Sequence, residues 1–214
     1  MKSVRLFYKK KSRMKFVSHL DMNRFMTRML RLTNIPVWYT EGFNRHVYVA
    51  FALPLTLGFE SDSEIMDFKV TDDNYGFDNI VSELKRVMPP YIEIVKVSEP
   101  VKKVGDIGFA EFRITFDGNC RSELSAFLQR DEIICEKQNK KGKTVSFNLS
   151  EKIYKYEVSD GAETVLSVIL PAGNNGNVNP IMIIDSYEKL TGTKLPYYTV
   201  NRVNVYDTEH NIFE

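Results

Sequence analysis

The chain has 214 residues, 43% of them hydrophobic and 27% charged, with a formal net charge of +1. That length allows one large domain or two small ones, and the composition is ordinary for a soluble globular protein. No apolar run approaches the ~18 residues of a membrane-spanning helix, and the N-terminal MKSVRLFYKKK has no apolar signal core, so a cytoplasmic protein without a membrane partner is expected.

Residues 4–8 read as a strand, and 14–17 lead into a helix. Ser18 and Asp21 are spaced as an N-cap and its acidic partner. Met22, Phe25, Met26, Met29 and Leu30 then fall on one face at helical period. Asn34 and Pro36 end the helix. Residues 37–40 and 47–53 alternate as strands around a turn at 41–45 that rests on Gly42 and Asn44. A strand at 65–70, a helix at 77–87 stopped by Pro89-Pro90, and a strand at 91–97 complete a β-α-β-β-(β)-α-β pattern. Residues 100–107 read as a linker.

The pattern then recurs in topology, without a repeat in sequence. It runs as a strand at 110–116, a helix at 121–130, a hairpin at 133–149 with its tip at 138–143, strands at 154–158 and 164–170, a helix at 180–190 and a strand at 198–206. The expected fold is α+β, as two tandem ferredoxin-like domains with antiparallel sheets, at residues 1–99 and 108–214.

Charge is distributed unevenly. Residues 1–50 hold 11 Lys/Arg against only Asp21 and Glu41, a net of +9, while residues 51–214 hold 18 basic and 26 acidic residues, a net of −8. Lys9, Lys10, Lys11, Arg13 and Lys15 form a basic loop before the first helix. Arg24, Arg28 and Arg31 form a stripe on that helix roughly opposite its apolar face, and Arg45 follows in the next turn. Clustered Lys and Arg are the footprint of polyanion binding, and RNA is the expected ligand. The competing reading is a solvated face, or a stripe neutralised by Glu60 and Glu64.

Other chemistry is sparser. His19 and His46 are candidates for a general acid/base pair in phosphodiester cleavage. The alternative is that His19 helps cap the helix and His46 bonds the turn. With Asp21 or Glu64 they also form a possible donor set for a metal, at a spacing that matches no common site. Cys120 and Cys135 have no metal-type spacing, and no CxxxCxxC, Walker loop or HExxH occurs, so no cofactor is expected. Trp38, Tyr39, Phe43 and Tyr48 are candidates for stacking on bases or for the core. Asn179 and Pro180 open the last helix after a Gly/Asn loop, where free N–H groups would suit a phosphate; a plain surface loop is the alternative.

The run KFVSHLDMNRFMTRMLR, then IPVWYTEGFNRH, then FALPLTLGFESDSEIMD resembles the radical-SAM-linked domain family of unknown function. Ser18, His19, Leu20, Asp21, Arg31, Pro36, Gly42, Phe43, Asn44, His46, Ser61 and Glu64 carry the likeness, while Arg45 and Val47 stand where that family has prolines. The resemblance covers most of the chain and implies a radical SAM protein as partner, though no reaction. The expected role is therefore an RNA-binding accessory protein acting on tRNA, rRNA or the ribosome. A small RNA-processing or RNA-modifying enzyme using His19 and His46, and a protein–protein adaptor, are the alternatives.

Overall fold

The computed structural model describes residues 1–138, 144–159 and 161–214. It is a mixed α+β chain with four α-helices among the described residues, and it splits into two compact units. Unit 1 comprises Met1–Asp106 with Phe213–Glu214, and unit 2 comprises Ile107–Ile212. No helix is long and apolar enough to cross a membrane among the described residues.

Unit 1 is built on strands β1 (Lys2–Lys10), β2 (Val49–Phe51), β3 (Glu60–Val70) and β4 (Ile92–Ser98), with helices α1 (His19–Arg31) and α2 (Phe77–Val87). The strand order is β4-β1-β3, with β2 added on β3, and every one of these pairs is antiparallel. Each helical connection therefore skips over one strand. Val4 opposes Phe68 and Leu6 opposes Met66, so alternate residues of neighbouring strands share one face. On that face they pack with Met22, Met26 and Leu30 of α1 and Ile80 and Leu84 of α2 into one core.

The opposite face of β1 is covered as well. Arg5 is only 1% exposed and Phe7 9%. Arg5 donates to Asp67 and to the carbonyl of Lys102, and its guanidinium lies 5.0 Å from the Phe213 ring. The segment read as a linker thus packs on this sheet face through its backbone.

Other boundaries also differ from expectation. β3 starts at Glu60 rather than 65, because β1 pairs with it as far as Lys10↔Ser61. The polar letters ESDSE carry little strand propensity, and pairing overrides it. Residues 37–40 form only single bridges, Val37↔Val70 and Tyr39↔Val47.

Unit 2 contains β5 (Ile107–Phe116), α3 (Arg121–Leu128), a separate hairpin of β6 (Ile134–Gln138) and β7 (Thr144–Asn148), β8 (Lys155–Ser159), β9 (Thr164–Pro171), α4 (Ile181–Thr191) and β10 (Tyr198–Asp207). The order is β10-β5-β9-β8, again antiparallel throughout. Most of the expected hairpin tip, residues 139–143, lies outside the described residues. Ala110, Ile114, Phe116, Leu124, Leu166, Leu170 and Ile183 are fully buried.

Candidate nucleic-acid interface

The basic loop folds into a short 3-10 turn, Ser12–Phe16, tied down at both ends. Ser12 N donates to Glu60 at 2.9 Å, and Gly58 N donates to the Lys15 carbonyl at 2.8 Å. This tethering divides the five cations. Lys9 pairs with Glu93 at 3.0 Å, and Lys11 pairs with Asp62 at 2.8 Å. Lys10 is 2% exposed and its ammonium donates to the Val17 carbonyl at 3.0 Å. Lys10 is therefore no part of a basic surface. It sits in β1 among side chains that alternate between faces, and its register turns it inward. Arg13 and Lys15 pair with no carboxylate among the described residues.

Helix α1 starts as its capping letters imply. The Ser18 hydroxyl oxygen accepts from Asp21 N at 3.2 Å, and the same hydroxyl donates to the Asp21 carboxylate at 2.8 Å. The carboxylate thus bonds the cap side chain rather than the cap backbone N–H that a full capping box would use. Met22, Met26 and Leu30 are buried, while Arg24, Arg28 and Arg31 are exposed. Arg24 makes one exposed pair with Asp21 at 3.3 Å. Arg28 and Arg31 pair with no carboxylate among the described residues. Glu60 faces Ser12 and Lys11 instead, at 2.9 and 3.9 Å. Glu64 is 5% exposed in β3, opposite Tyr8. Neither acid neutralises the stripe.

The end of α1 is clasped by α2. Glu83 accepts from Asn34 N at 2.8 Å and pairs with Arg86 at 2.8 Å, and Arg86 donates to the Leu32 carbonyl at 3.1 Å. The Arg86 hydrogen bond first, then that from Asn34 N, hold the Glu83 carboxyl down at about 2.

The Gly42–His46 turn is pinned by its histidine. His46 Nδ1 lies 3.0 Å from the Asn44 carbonyl and 3.1 Å from the Thr40 hydroxyl, and His46 N donates to that hydroxyl at 3.2 Å. A carbonyl only accepts, so Nδ1 is the donor in that contact. Gly42 has φ +111, a conformation that favours glycine. Arg45 is exposed, and so is Phe43, at 103%.

His19 is also exposed and sets its ring edge-on to Phe51, centroids 5.2 Å apart. Each histidine thus has a local partner, His19 the Phe51 ring and His46 the Thr40–Asn44 turn. Among the described residues no group of three or more His, Cys, Asp or Glu side chains could hold a metal ion.

The Gly/Asn loop is likewise engaged. Asn179 Oδ1 accepts from Ile181 N at 3.0 Å and its carbonyl accepts from Met182 N at 3.0 Å, so Asn179 does the capping of α4. A Cβ on Gly173 would lie 2.5 Å from the Ile107 carbonyl oxygen. The loop is packed by its backbone, and its N–H groups at the helix start are partly consumed by that cap.

Sequence reading missed a second cationic feature. Lys69 sits 5.2 Å from the Trp38 ring centroid and 5.1 Å from that of Tyr48, and the two rings meet edge to face. An open cavity of about 450 Å³ beside them is lined by Arg5, Tyr48, Asp67, Lys69 and Lys103 among others. Strand alternation in MDFKV puts Asp67 and Lys69 on one face, which was the available signal. Their partners lie too far along the chain for any spacing to reveal.

A family model described as an uncharacterized protein conserved in bacteria, DUF2344, matches residues 3–180. No curated protein matches the chain. Among solved structures, a chain in the crystal structure of a Cbf5-Nop10-Gar1 complex is similar at 9% identity, with a TM-score of 0.51. The match covers 94% of this chain and 48% of that one, so this chain spans about half its length. At that identity the likeness is one of fold alone.

Proposed function

We propose an RNA-binding accessory role for this chain, which belongs to DUF2344, a family of uncharacterized proteins conserved in bacteria. The observation that carries the reading is the exposed arginine stripe of α1. Arg28 and Arg31 have no carboxylate partner among the described residues, and Glu60 and Glu64 are committed elsewhere. Guanidiniums bind phosphate oxygens bidentately, and the release of condensed counterions drives the association. Arg13, Lys15 and Arg45 supply further exposed or half-exposed cations.

The strand orders β4-β1-β3-β2 and β10-β5-β9-β8 support reading both units as ferredoxin-like, with two split β-α-β crossovers in each. That scaffold leaves one helix face free to meet a ligand. A cytoplasmic location, a target in tRNA, rRNA or the ribosome, and a radical SAM partner implied by the SHLD and GFNxH resemblance complete the proposal. His19 and His46 each engage a local partner, so the acid/base alternative rests on their residue types alone.

The test is binding of a fluorescently labelled single-stranded RNA to the wild-type chain and to the Arg24→Ala, Arg28→Ala, Arg31→Ala triple variant. Weaker binding with an intact circular-dichroism spectrum is expected. Unchanged affinity would overturn the role of the stripe.

One observation favours a protein adaptor instead. Phe16 is 69% exposed, Leu20 60% and Leu57 59%. Phe16 and Leu57 adjoin the hydrogen-bonded pair Lys15 and Gly58, so apolar side chains gather beside the 3-10 turn. Loss of a co-purifying protein on Phe16→Ser, with RNA binding retained, would support that role.

A further inference from the structure

We propose that Phe43 is a stacking platform for an unpaired nucleic-acid base, an inference that rests on the RNA reading above. Its ring is 103% exposed. A phenylalanine left in water forgoes about 1.5–3 kcal/mol of burial, and no other large apolar side chain among the described residues is as exposed.

The turn is built to hold the ring out. Gly42 at φ +111 makes the bend. His46 Nδ1 bonds the Asn44 carbonyl and the Thr40 hydroxyl, and Thr40 N donates to the His46 carbonyl at 2.8 Å. Tyr39 bridges to Val47, which is 1% exposed and anchors the base in the core. His46 therefore acts as a brace for the turn, and Phe43 stands clear of it.

The surroundings select the ligand. Arg45 is two residues away in the same turn and is exposed, with Glu41 the turn's one carboxylate. Val37 bridges Val70, and Thr71 N donates to the Pro36 carbonyl, so the stem of the turn and the exit of α1 are fixed at the same sheet end. Arg31 is five residues before Pro36 and hence at most about 18 Å from it. A protein pocket would receive the apolar ring but gain nothing from the exposed Arg45 guanidinium in the same turn. A single strand uses both, with phosphates on the arginines and a base face on the ring. Stacking needs no particular base, so the expected binding is tolerant of sequence.

The experiment measures binding of a labelled 12-nucleotide oligouridylate by anisotropy, for wild type and for Phe43→Ala, Phe43→Leu and Phe43→Trp. The expected loss for Phe43→Ala is about tenfold or more, from the usual worth of one stacked base. Phe43→Leu keeps the apolar bulk without a π-face and should lose as much. Phe43→Trp should bind at least as well as wild type, with fluorescence quenched on binding beyond any change from Trp38. Wild-type binding that Phe43→Ala leaves unchanged, or that Phe43→Leu restores, would overturn the platform while leaving the RNA reading in place. No wild-type binding at all would overturn both.

Discussion

Arg5 holds Asp67 with two hydrogen bonds of 2.8 Å, from Nε to Oδ1 and from Nη2 to Oδ2. The Arg5 side chain is 1% exposed and that of Asp67 19%. Removing one partner strands a buried charge, whereas removing both leaves only packing to satisfy. Asp67→Ala should cost about 3 kcal/mol or more in urea unfolding. A double change to Arg5→Met and Asp67→Leu should recover most of that loss. An Asp67→Ala chain as stable as wild type would show that Arg5 finds water in the folded state.

Glu83 governs a pH dependence. Its folded pKa of about 2 lies below the ordinary 4.5, so its contribution is present above pH 4.5 and is lost as pH falls through about 2. Glu83→Gln should lower thermal stability at neutral pH and flatten the melting-temperature profile between those values. The pair is exposed, so added salt should shrink the difference. Parallel profiles for the two chains would remove Glu83 from the clasp on α1.

Two glycines should respond differently to alanine. Gly173 has φ +82, and an added Cβ would lie 2.5 Å from the Ile107 carbonyl oxygen. Gly42 has φ +111 with nothing within 4 Å of that position. Gly42→Ala should therefore cost about 1–2 kcal/mol for backbone conformation alone. Gly173→Ala should add a further ~1–3 kcal/mol of overpacking. Equal melting temperatures for the two variants would mean that the loop before α4 yields without resistance.

The salt dependence of RNA binding should report individual arginines. Arg28→Ala and Arg31→Ala should each reduce the log–log slope by roughly 0.7, the value for one phosphate contact on a single strand. Phe43 variants should leave the slope untouched, because stacking releases no counterion. A slope insensitive to both arginines would make the stripe a solvated face.

Helices were legible in the letters. The 77–87 pattern matches α2, and the Ser18 and Asp21 pair marks the start of α1. Both signals are local, set by side-chain periodicity and a cap within one turn. The burial of Lys10 and the early start of β3 were hidden, because they depend on cross-strand pairing between residues some fifty positions apart. The three basic letters at 9–11 look like one patch, yet pairing and alternation send them to three different environments. Among the aromatics, Phe43 stands free while Tyr39 and Tyr48 are half-buried; nothing in residue type separates them, only the turn geometry.

The Phe213 ring beside Arg5 has a consequence for synthesis. Unit 1 draws its cover from two stretches of chain separated by all of unit 2. A nascent polypeptide that has emerged through β4 holds every strand and both helices of unit 1 but lacks that ring. On such a chain Arg5 has its Asp67 partner in β3 at hand, while the Phe213 ring follows only once the whole of the next unit has been translated. The N-terminal half is thus begun first and finished last, with a long loop to close before its most buried cation is sealed.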